Sequence, residues 1–146
     1  MFLLDTNVIS ELRRLDKADR NVAAWASAFP AANFFISVIS ILEIELGALL
    51  IARKDAAQGA VLRAWIDHQV LARFDGRVLS TDTAVAQRCA RLHVPDPRAE
   101  RDALIAATAL VHGLTVVTRN AADFEQTGVA VINPWEPRPA GEEGSR

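Results

Sequence analysis

The sequence predicts an α/β fold with a central, mostly parallel sheet covered by helices on both faces. Two observations predict it. Short, continuously apolar segments alternate with longer segments of helical periodicity, and the apolar segments lack the apolar–polar alternation of a sheet with one solvated face. The chain has 146 residues, of which 51% are hydrophobic, and this suits one domain with a substantial core. We expect residues 1–136 to form that domain and residues 137–146, which are polar and rich in Pro and Gly, to form a flexible tail.

The first part of the chain predicts a strand followed by two helices. Residues 1–4 are apolar and end at Asp5, which is typical of a short buried strand. Residues 6–14 are predicted to form a short helix. Residues 19–29 carry apolar side chains at helical spacing, and Pro30 follows the end of that helix.

A second strand is predicted at residues 33–37, and a long helix at 40–53. The apolar stretch 34–52 also resembles a membrane span, but it contains two Glu near its middle and reaches only the low end of the spanning length. Carboxylates in hydrocarbon are costly, so we expect no membrane segment. Residues 60–73 are amphipathic and predict a further helix. The absence of a basic leader with a cleavage site predicts a cytoplasmic protein.

The remaining elements continue the alternation of strand and helix. They are, in order, a strand at 77–79, a helix at 81–93, a helix at 97–112, a strand at 114–118, a helical turn at 121–124 and a strand at 129–132. Thr81 is predicted as the N-cap of the first of these helices. Asp96 is predicted as the N-cap of the second, with Pro97 at its first position. Gly113 suits the end of that helix.

Composition excludes several classes of protein. The chain has 16 Lys and Arg residues against 18 Asp and Glu residues, a net charge of -2, which excludes a strongly basic nucleic-acid coat. Cys89 is the only cysteine, which excludes a disulfide scaffold or a Cys-rich zinc module and fits a reducing compartment. His68, His93 and His112 are too far apart in sequence for a zinc motif. The sequence contains no P-loop, dinucleotide fingerprint or nucleophile elbow.

Polar residues fall where three of the predicted strands end. Asp5 follows the first strand, Ser37 ends the second, and the run Thr118-Arg119-Asn120 closes the strand at 114–118. Parallel sheets bind ligands in the crevice beyond the carboxyl ends of their strands. We therefore expect these side chains to meet there. Taken alone, Asp5 is explained equally well as the N-cap of the following helix.

Two acids interrupt the apolar helix at 40–53. Residues two apart on a helix point roughly 200° apart, so Glu43 and Glu45 cannot share one solvent face. At least one of them is expected to face packed surroundings. A carboxylate there is either paired with a cation or bound to a metal, and the alternative to a metal site is an ion pair with an Arg.

Asp102 and Asp123 are the other acids of interest. Asp102 begins a long uncharged run and lies over Ile105, Ala106 and Ala109 on the apolar stripe of its helix. The alternative interpretation is a weak interaction with the helix dipole. Asp123 lies in the turn after residue 118, where a solvated loop acid is the simpler interpretation. Together with Asp5 and at least one of Glu43 and Glu45, these acids predict a divalent cation site and metal-assisted phosphoryl hydrolysis.

Four separated segments resemble one known family. FLLDTNVISEL, ISVISILEIELG, RDALIAATALVHGLTVVTRNAADF and VINPWE occur in the order found in the PIN-domain ribonucleases. The VapC toxins of bacterial toxin–antitoxin pairs, including the FitB-like subgroup, are the most similar members. The resemblance extends from residue 2 to about residue 136.

The resemblance implies a fold, an activity and partners. The fold is a three-layer α/β/α structure with a central, mostly parallel sheet. The activity is that of a Mg²⁺-dependent endonuclease acting on RNA, and we expect Mn²⁺ to substitute because it favours the same oxygen ligands. The partners are a cognate antitoxin protein and a second copy of the chain in a homodimer. In such assemblies DNA is bound only indirectly, through the antitoxin.

By position, the resemblance assigns the acids that hold the metal: Asp5, Glu43 and Asp102. This assignment leaves Glu45 outside the site. A fourth family acid follows a Thr-Arg pair where this chain has the neutral Asn120. Asp123, three residues on, is the candidate substitute, and the resemblance leaves the number of metal ions open between one and two.

Other residues match positions with supporting roles. Those expected to support the acids by hydrogen bonding are Thr6, Asn7, Ser37, Thr118 and Asn120. Arg119 is expected to contact a substrate phosphate, with Arg13 or Arg14 as further candidates; all three also fit solvated surface charges.

Two rival functions stay open on the sequence. A phosphatase with an aspartate nucleophile at Asp5 typically needs a second Asp two residues on, where this chain has Asn7. A non-catalytic module that keeps the fold and acts through its partner is the second rival.

A candidate surface for such a partner, or for self-association, lies on the helices predicted at 19–29 and 40–73. Its residues are Trp25, Phe29, Leu49, Leu50 and Trp65. For each of them, ordinary core packing is the simpler interpretation.

Overall fold

A five-stranded parallel sheet lies at the centre of the structure, a computed structural model that describes residues 1–137. The strands are β1 (Phe2–Leu4), β2 (Phe34–Ser37), β3 (Val78–Leu79), β4 (Thr115–Val117) and β5 (Val131–Ile132). Their order, β3-β2-β1-β4-β5, places β1 in the middle, and every neighbouring pair is parallel. All carboxyl ends therefore meet at one edge. The predicted parallel sheet is confirmed.

The register of β1 and β4 brings two predicted site residues to the same level. Leu4 pairs with Val117, and the amide of Asp5 donates to the carbonyl of Val117 at 2.9 Å. Asp5 and Thr118 are therefore the first residues beyond the two central strands, side by side.

Helices connect the strands. They are α1 (Thr6–Glu11), α2 (Arg20–Ser27), α3 (Val38–Lys54), α4 (Ala56–Trp65), α5 (Leu71–Arg73), α6 (Thr83–Leu92) and α7 (Glu100–His112). A π-helical turn, Ile66–Val70, joins α4 to α5, and 3₁₀ turns span Ala31–Asn33 and Ala121–Thr127.

The helices form one layer on each face of the sheet. Phe2 and Leu4 point to one face and pack with residues of α1, α2 and α3. Leu3 points to the other face and packs with Ile105 and Ala106 of α7. This alternation follows from the two-residue repeat of a strand. It produces the predicted three-layer α/β/α arrangement.

Helix boundaries in the first half differ modestly from the prediction. The long helix begins at Val38 rather than at residue 40, because the Ser37 hydroxyl accepts a hydrogen bond from the amide of Ile39 at 2.9 Å and caps it. The helix predicted at 60–73 begins earlier, at Ala56, where Asp55 caps the amide of Gln58. It also widens into the π-helical turn, which periodicity alone did not indicate.

Two predicted caps are wrong. Asp82, not Thr81, caps α6, since its carboxylate accepts from the amide of Val85 at 3.0 Å. The prediction that Asp96 caps α7 with Pro97 at its first position also fails, because α7 begins at Glu100. Arg98 holds the preceding segment as a loop: its amide donates to Nδ1 of His93 at 3.1 Å and its Nε to the carbonyl of Leu92 at 2.8 Å.

Two further expectations concern the chain as a whole. No helix within residues 1–137 is long and apolar enough to cross a membrane. Residues 138–146, which make up nearly all of the predicted tail, lie outside the described residues.

Candidate active site

Asp5 is the buried centre of the candidate site, with 6% of its surface exposed. One oxygen, Oδ1, accepts the amide of Thr6 at 2.8 Å and so caps α1. The other, Oδ2, accepts the hydroxyl of Thr118 at 2.8 Å and Nδ2 of Asn7 at 3.3 Å. Asp5 is thus both a helix cap and a fixed carboxylate at the sheet edge.

Asn7 and Thr118 hold Asp5 as a connected unit. The Thr118 oxygen donates its proton to Asp5 and accepts from Nδ2 of Asn7 at 3.2 Å and from the amide of Asn120 at 3.0 Å. Oδ1 of Asn7 accepts the amide of Arg119 at 3.1 Å. These bonds use the hydrogen-bonding capacity of both side chains, so the orientation of Asp5 is set by β4 as well as by α1.

Glu43 joins this unit through Thr6. The Thr6 hydroxyl donates to Oε1 of Glu43 at 2.7 Å. Its oxygen also lies 3.0 Å from the hydroxyl of Ser40, and because Thr6 has one proton, Ser40 is the donor of that pair. Sequence reasoning missed Ser40. The sequence could have indicated Ser40, since residues three apart on a helix share a face and Ser40 lies three residues before Glu43.

Asp102, in the first turn of α7, faces the other acids. Burial raises its pKa, and the negative charges of Asp5, Asp123 and Glu43 raise it further. Within residues 1–137 its carboxylate accepts no hydrogen bond, which leaves both oxygens free for a ligand.

The pKa of Asp5 is raised for related reasons. Burial is the largest cause, and the charges of Glu43 and Asp123 add to it. The hydrogen bonds from Thr118 and Thr6 oppose the rise. Four acids from α1, α3, α7 and the turn after β4 therefore repel one another across one crevice, and a cation between them would relieve that repulsion.

Glu45 lies outside the crevice. Its carboxylate accepts Nη2 of Arg63 at 2.8 Å, and Arg63 also pairs with Asp67. These contacts hold the pKa of Glu45 below its usual range. The ion pair expected as an alternative for one of the two glutamates is therefore the arrangement of Glu45.

The acid set fits a hard cation with an open coordination shell. Within residues 1–137, no three Asp, Glu, His or Cys side chains are grouped so that they could hold a metal ion by themselves. Mg²⁺ does not need such a group, since it typically takes one or two carboxylates and completes its shell with waters and phosphate. The unbonded oxygens of Asp102 and the fixed carboxylate of Asp5 are donors of that type.

Several predicted residues are placed beside the crevice rather than in it. Ser37 acts on α3 as its cap. Asn120 contributes its amide to Thr118, and its side chain is exposed. The guanidinium of Arg119 lies over the ring of Trp135 at 5.2 Å, so it is already in contact with an aromatic face. The roles proposed for these side chains remain predictions.

One basic residue was missed. Nη1 of Arg101 lies 3.7 Å from Oε2 of Glu43. The sequence held a weak signal, because Arg101 immediately precedes Asp102.

The candidate partner residues separate into two groups. Trp25 is buried and packs against Phe2 with ring centroids 5.1 Å apart, and Phe29 also contacts Phe2. Trp65 is partly buried and packs against the same core cluster. Core packing is therefore the correct interpretation for these three. Leu49 and Leu50 are exposed.

Comparison with known proteins identifies the family. The sequence model of the PIN domain matches residues 2–130. The chain belongs to the PIN-domain family. This PIN domain is 36% identical over 142 residues to the VapC ribonuclease Y4jK of Sinorhizobium fredii, which covers 94% of this chain and 99% of that protein. It is 38% identical over 141 residues to the toxin FitB of Neisseria gonorrhoeae, covering 92% of this chain and 99% of that protein.

A solved structure supports the same placement. The PIN domain superimposes on a chain of the crystal structure of FitAcB from Neisseria gonorrhoeae with a TM-score of 0.85, at 36% identity and covering 93% of this chain and 99% of that one. The match confirms the expected PIN-like α/β/α fold.

Proposed function

We propose that this PIN domain, residues 1–136, is a metal-dependent endoribonuclease and the toxin of a type II toxin–antitoxin pair. The observation that carries the proposal is the group of acids at the carboxyl edge of the sheet, in which hydrogen bonds hold Asp5 and Glu43 in place. Burial and the negative charges of Asp5, Asp123 and Glu43 raise the pKa of Asp102 in the same group. The names of its relatives, a VapC ribonuclease and the toxin FitB, support the activity and the biological role.

Asp5, Glu43 and Asp102 are proposed to hold one Mg²⁺, directly or through coordinated waters, and Mn²⁺ is expected to substitute for it. When bound, such an ion lowers the pKa of a coordinated water and neutralises charge on a phosphate. Asp123 is exposed and lies at the rim, where it suits a charge that attracts the cation or accepts a proton. The neutral side chain of Asn120 is not proposed as a metal ligand.

The remaining residues keep the acids in position. Thr118 and Asn7 fix Oδ2 of Asp5, and Thr6 fixes Oε1 of Glu43. A carboxylate held by such bonds does not turn away when a phosphodiester approaches, and preorganised charge of this kind is an efficient source of catalysis.

A cognate antitoxin is the proposed protein partner. Several solved structures to which this chain is similar are complexes of this kind, among them a toxin–antitoxin complex from Klebsiella pneumoniae and FitAB bound to an IR36 DNA fragment. We propose that DNA contacts of such a complex come through the antitoxin, because this chain has a net charge of -2, which is not that of a strongly basic DNA-binding protein.

A second copy of the chain is the proposed partner of an exposed leucine stripe on α3. The stripe consists of Leu42, Leu46, Leu49 and Leu50, which follow one another at helical spacing and are 39–63% exposed. A self-complementary apolar stripe on a long helix is suited to a two-fold homodimer, and it leaves the crevice on the carboxyl edge open to RNA.

Cleavage of total cellular RNA by the purified full chain with Mg²⁺ tests the proposal. Glu43→Gln is expected to lose activity by at least about a hundredfold, since it removes a charged ligand. Glu45→Gln, two residues away on the same helix, is the matched control and is expected to keep it. Equal activity of wild type and Glu43→Gln would reject the assignment.

The same assay decides between the rival functions. Absence of cleavage by wild type, with an intact fold, would favour a non-catalytic module that acts through its partner. A covalent phosphate on Asp5 would favour the phosphatase. Against the phosphatase, the side chain of Asn7 is a neutral amide that cannot act as a general acid or base, and it bonds to Asp5, Thr118 and the amide of Arg119.

A further inference from the structure

Arg101 is the one cation within ion-pair distance of the four acids among residues 1–137. It comes from the first turn of α7 and reaches Glu43 of α3, so the contact crosses between two helices. Nη1 lies 3.7 Å from Oε2, which is too long for a hydrogen bond. The side chain of Arg101 is 51% exposed and that of Glu43 28%. Such a pair is weak and readily exchanged.

The two oxygens of Glu43 have different partners. Oε1 receives the hydroxyl proton of Thr6 at 2.7 Å, a neutral and well-formed bond. Oε2 faces only the loosely held guanidinium of Arg101. A divalent cation that binds Glu43 therefore competes with Arg101 for Oε2, while Thr6 keeps its bond.

The released guanidinium has no other anchor in the described structure. Arg63 and Arg98, by contrast, are held by carboxylates and by backbone carbonyls respectively, and Arg119 lies over Trp135. Arg101 alone combines an exposed fork of donors with a place beside the acids. A guanidinium matches the geometry of a phosphate, which it binds through two parallel hydrogen bonds.

We propose that Arg101 neutralises Glu43 while no metal is bound and contacts an RNA phosphate once a divalent cation has taken its place. The inference rests on the proposed nuclease function and adds to it a substrate-binding residue. The proposed role of Arg101 affects the two ligands in opposite directions. Arg101 weakens the binding of the cation, and it strengthens the binding of the RNA.

Two measurements on Arg101→Gln test this. The first is the Kd for Mn²⁺ alone, by calorimetry on the metal-free full chain, which is expected to fall by about threefold as a weak competitor is removed. The second is kcat/KM for RNA at saturating Mn²⁺, which is expected to fall by about tenfold because a charge-assisted bond to phosphate is lost. The fall should come from a higher KM, with kcat unchanged. Arg101→Lys keeps the positive charge, so its Kd for Mn²⁺ is expected to stay at the wild-type value. Its kcat/KM for RNA is expected to lie between the values of wild type and Arg101→Gln.

Arg91→Gln is the matched control, since it removes one positive charge from an exposed position of α6. It is expected to change neither quantity. Wild type that binds no Mn²⁺ and cleaves no RNA would reject the nuclease function itself. Wild type that does both, with Arg101→Gln altered in neither measurement or in only one of them, would overturn the role of Arg101 alone.

Discussion

The hydroxyl of Thr118 donates a 2.8 Å hydrogen bond to Oδ2 of Asp5 across 113 residues of sequence. It ties the residue that follows β4 to the residue that follows β1, at the level set by the pairing of Leu4 with Val117. The bond also opposes the rise in the pKa of Asp5 that burial causes. The parallel sheet therefore fixes the position of the central carboxylate and limits the rise of its pKa.

Thr118→Val is expected to weaken the site more than the fold. The variant removes the hydroxyl that bonds to Asp5, Asn7 and the amide of Asn120, at a cost of about 1–3 kcal/mol in unfolding free energy. It also raises the pKa of Asp5 further and so weakens cation binding near neutral pH. Mn²⁺ affinity measured by calorimetry is the readout.

Thr108→Val is the control for that variant. Thr108 is also fully buried, but its hydroxyl donates to the carbonyl of Leu104 within α7. It is expected to leave Mn²⁺ affinity unchanged. Equal affinities in both variants would contradict the role given to Thr118.

The metal-free chain is expected to lose stability as pH rises. The pKa of Asp102 is higher in the folded chain than its ordinary value of 3.8, so the folded state binds more protons between the two values and stability falls as pH rises through that window. Asp102→Asn removes this loss and is expected to raise Tm in EDTA at neutral pH by roughly 2 °C.

The difference in Tm between Asp102→Asn and wild type should shrink as pH falls below about 3, where the carboxyl is protonated in both states. Asp16→Asn, at an exposed position outside the crevice, should show no such pattern. A gap that is constant with pH would argue against a raised pKa for Asp102.

Mn²⁺ is expected to stabilise the fold by binding only the folded state. At a hundred times its Kd, a ligand of this kind adds about 2.7 kcal/mol to the unfolding free energy. The rise in Tm on adding Mn²⁺ should be lost in Glu43→Gln and retained in Glu45→Gln. A rise of the same size in both would place the bound ion elsewhere.

The leucine stripe on α3 is expected to hold the homodimer together. Leu49→Glu puts a charge at a position that is 63% exposed in the single chain, and burying that charge at an interface is costly. Light scattering after size exclusion should show a monomer. Val94→Glu, at a loop position that is 74% exposed, should leave the dimer intact, and a dimer in Leu49→Glu would rule out the stripe as the interface.

Much of the site could be predicted from sequence, because parallel strands place their following residues at one edge. The positions of Asp5 and Thr118 could be predicted from the ends of the strands that they follow. Glu43 and Glu45 were separated by helical geometry, which showed that they have different surroundings. The resemblance to the PIN family assigned Glu43 to the site, and the ion pair of Glu45 with Arg63 agrees with that assignment.

What escaped prediction depends on how elements cross. The bond between Thr6 and Glu43 forms because α1 lies against α3, and the contact of Arg101 forms because α7 approaches α3. No pattern in the sequence of a single helix indicates which other helix it will pack against. The start of α7 at Glu100 was missed for a related reason, since the loop before it is held by contacts of Arg98 that periodicity does not reveal.

Anomalous diffraction at the manganese edge, from crystals of the full chain soaked in MnCl₂, tests the shared cation site most directly. The predicted result is a peak at roughly 2.0–2.6 Å from carboxylate oxygens of Asp5 and Asp102, with Glu43 bound directly or through one water. A peak away from these residues, in crystals of a chain that still cleaves RNA, would contradict the account.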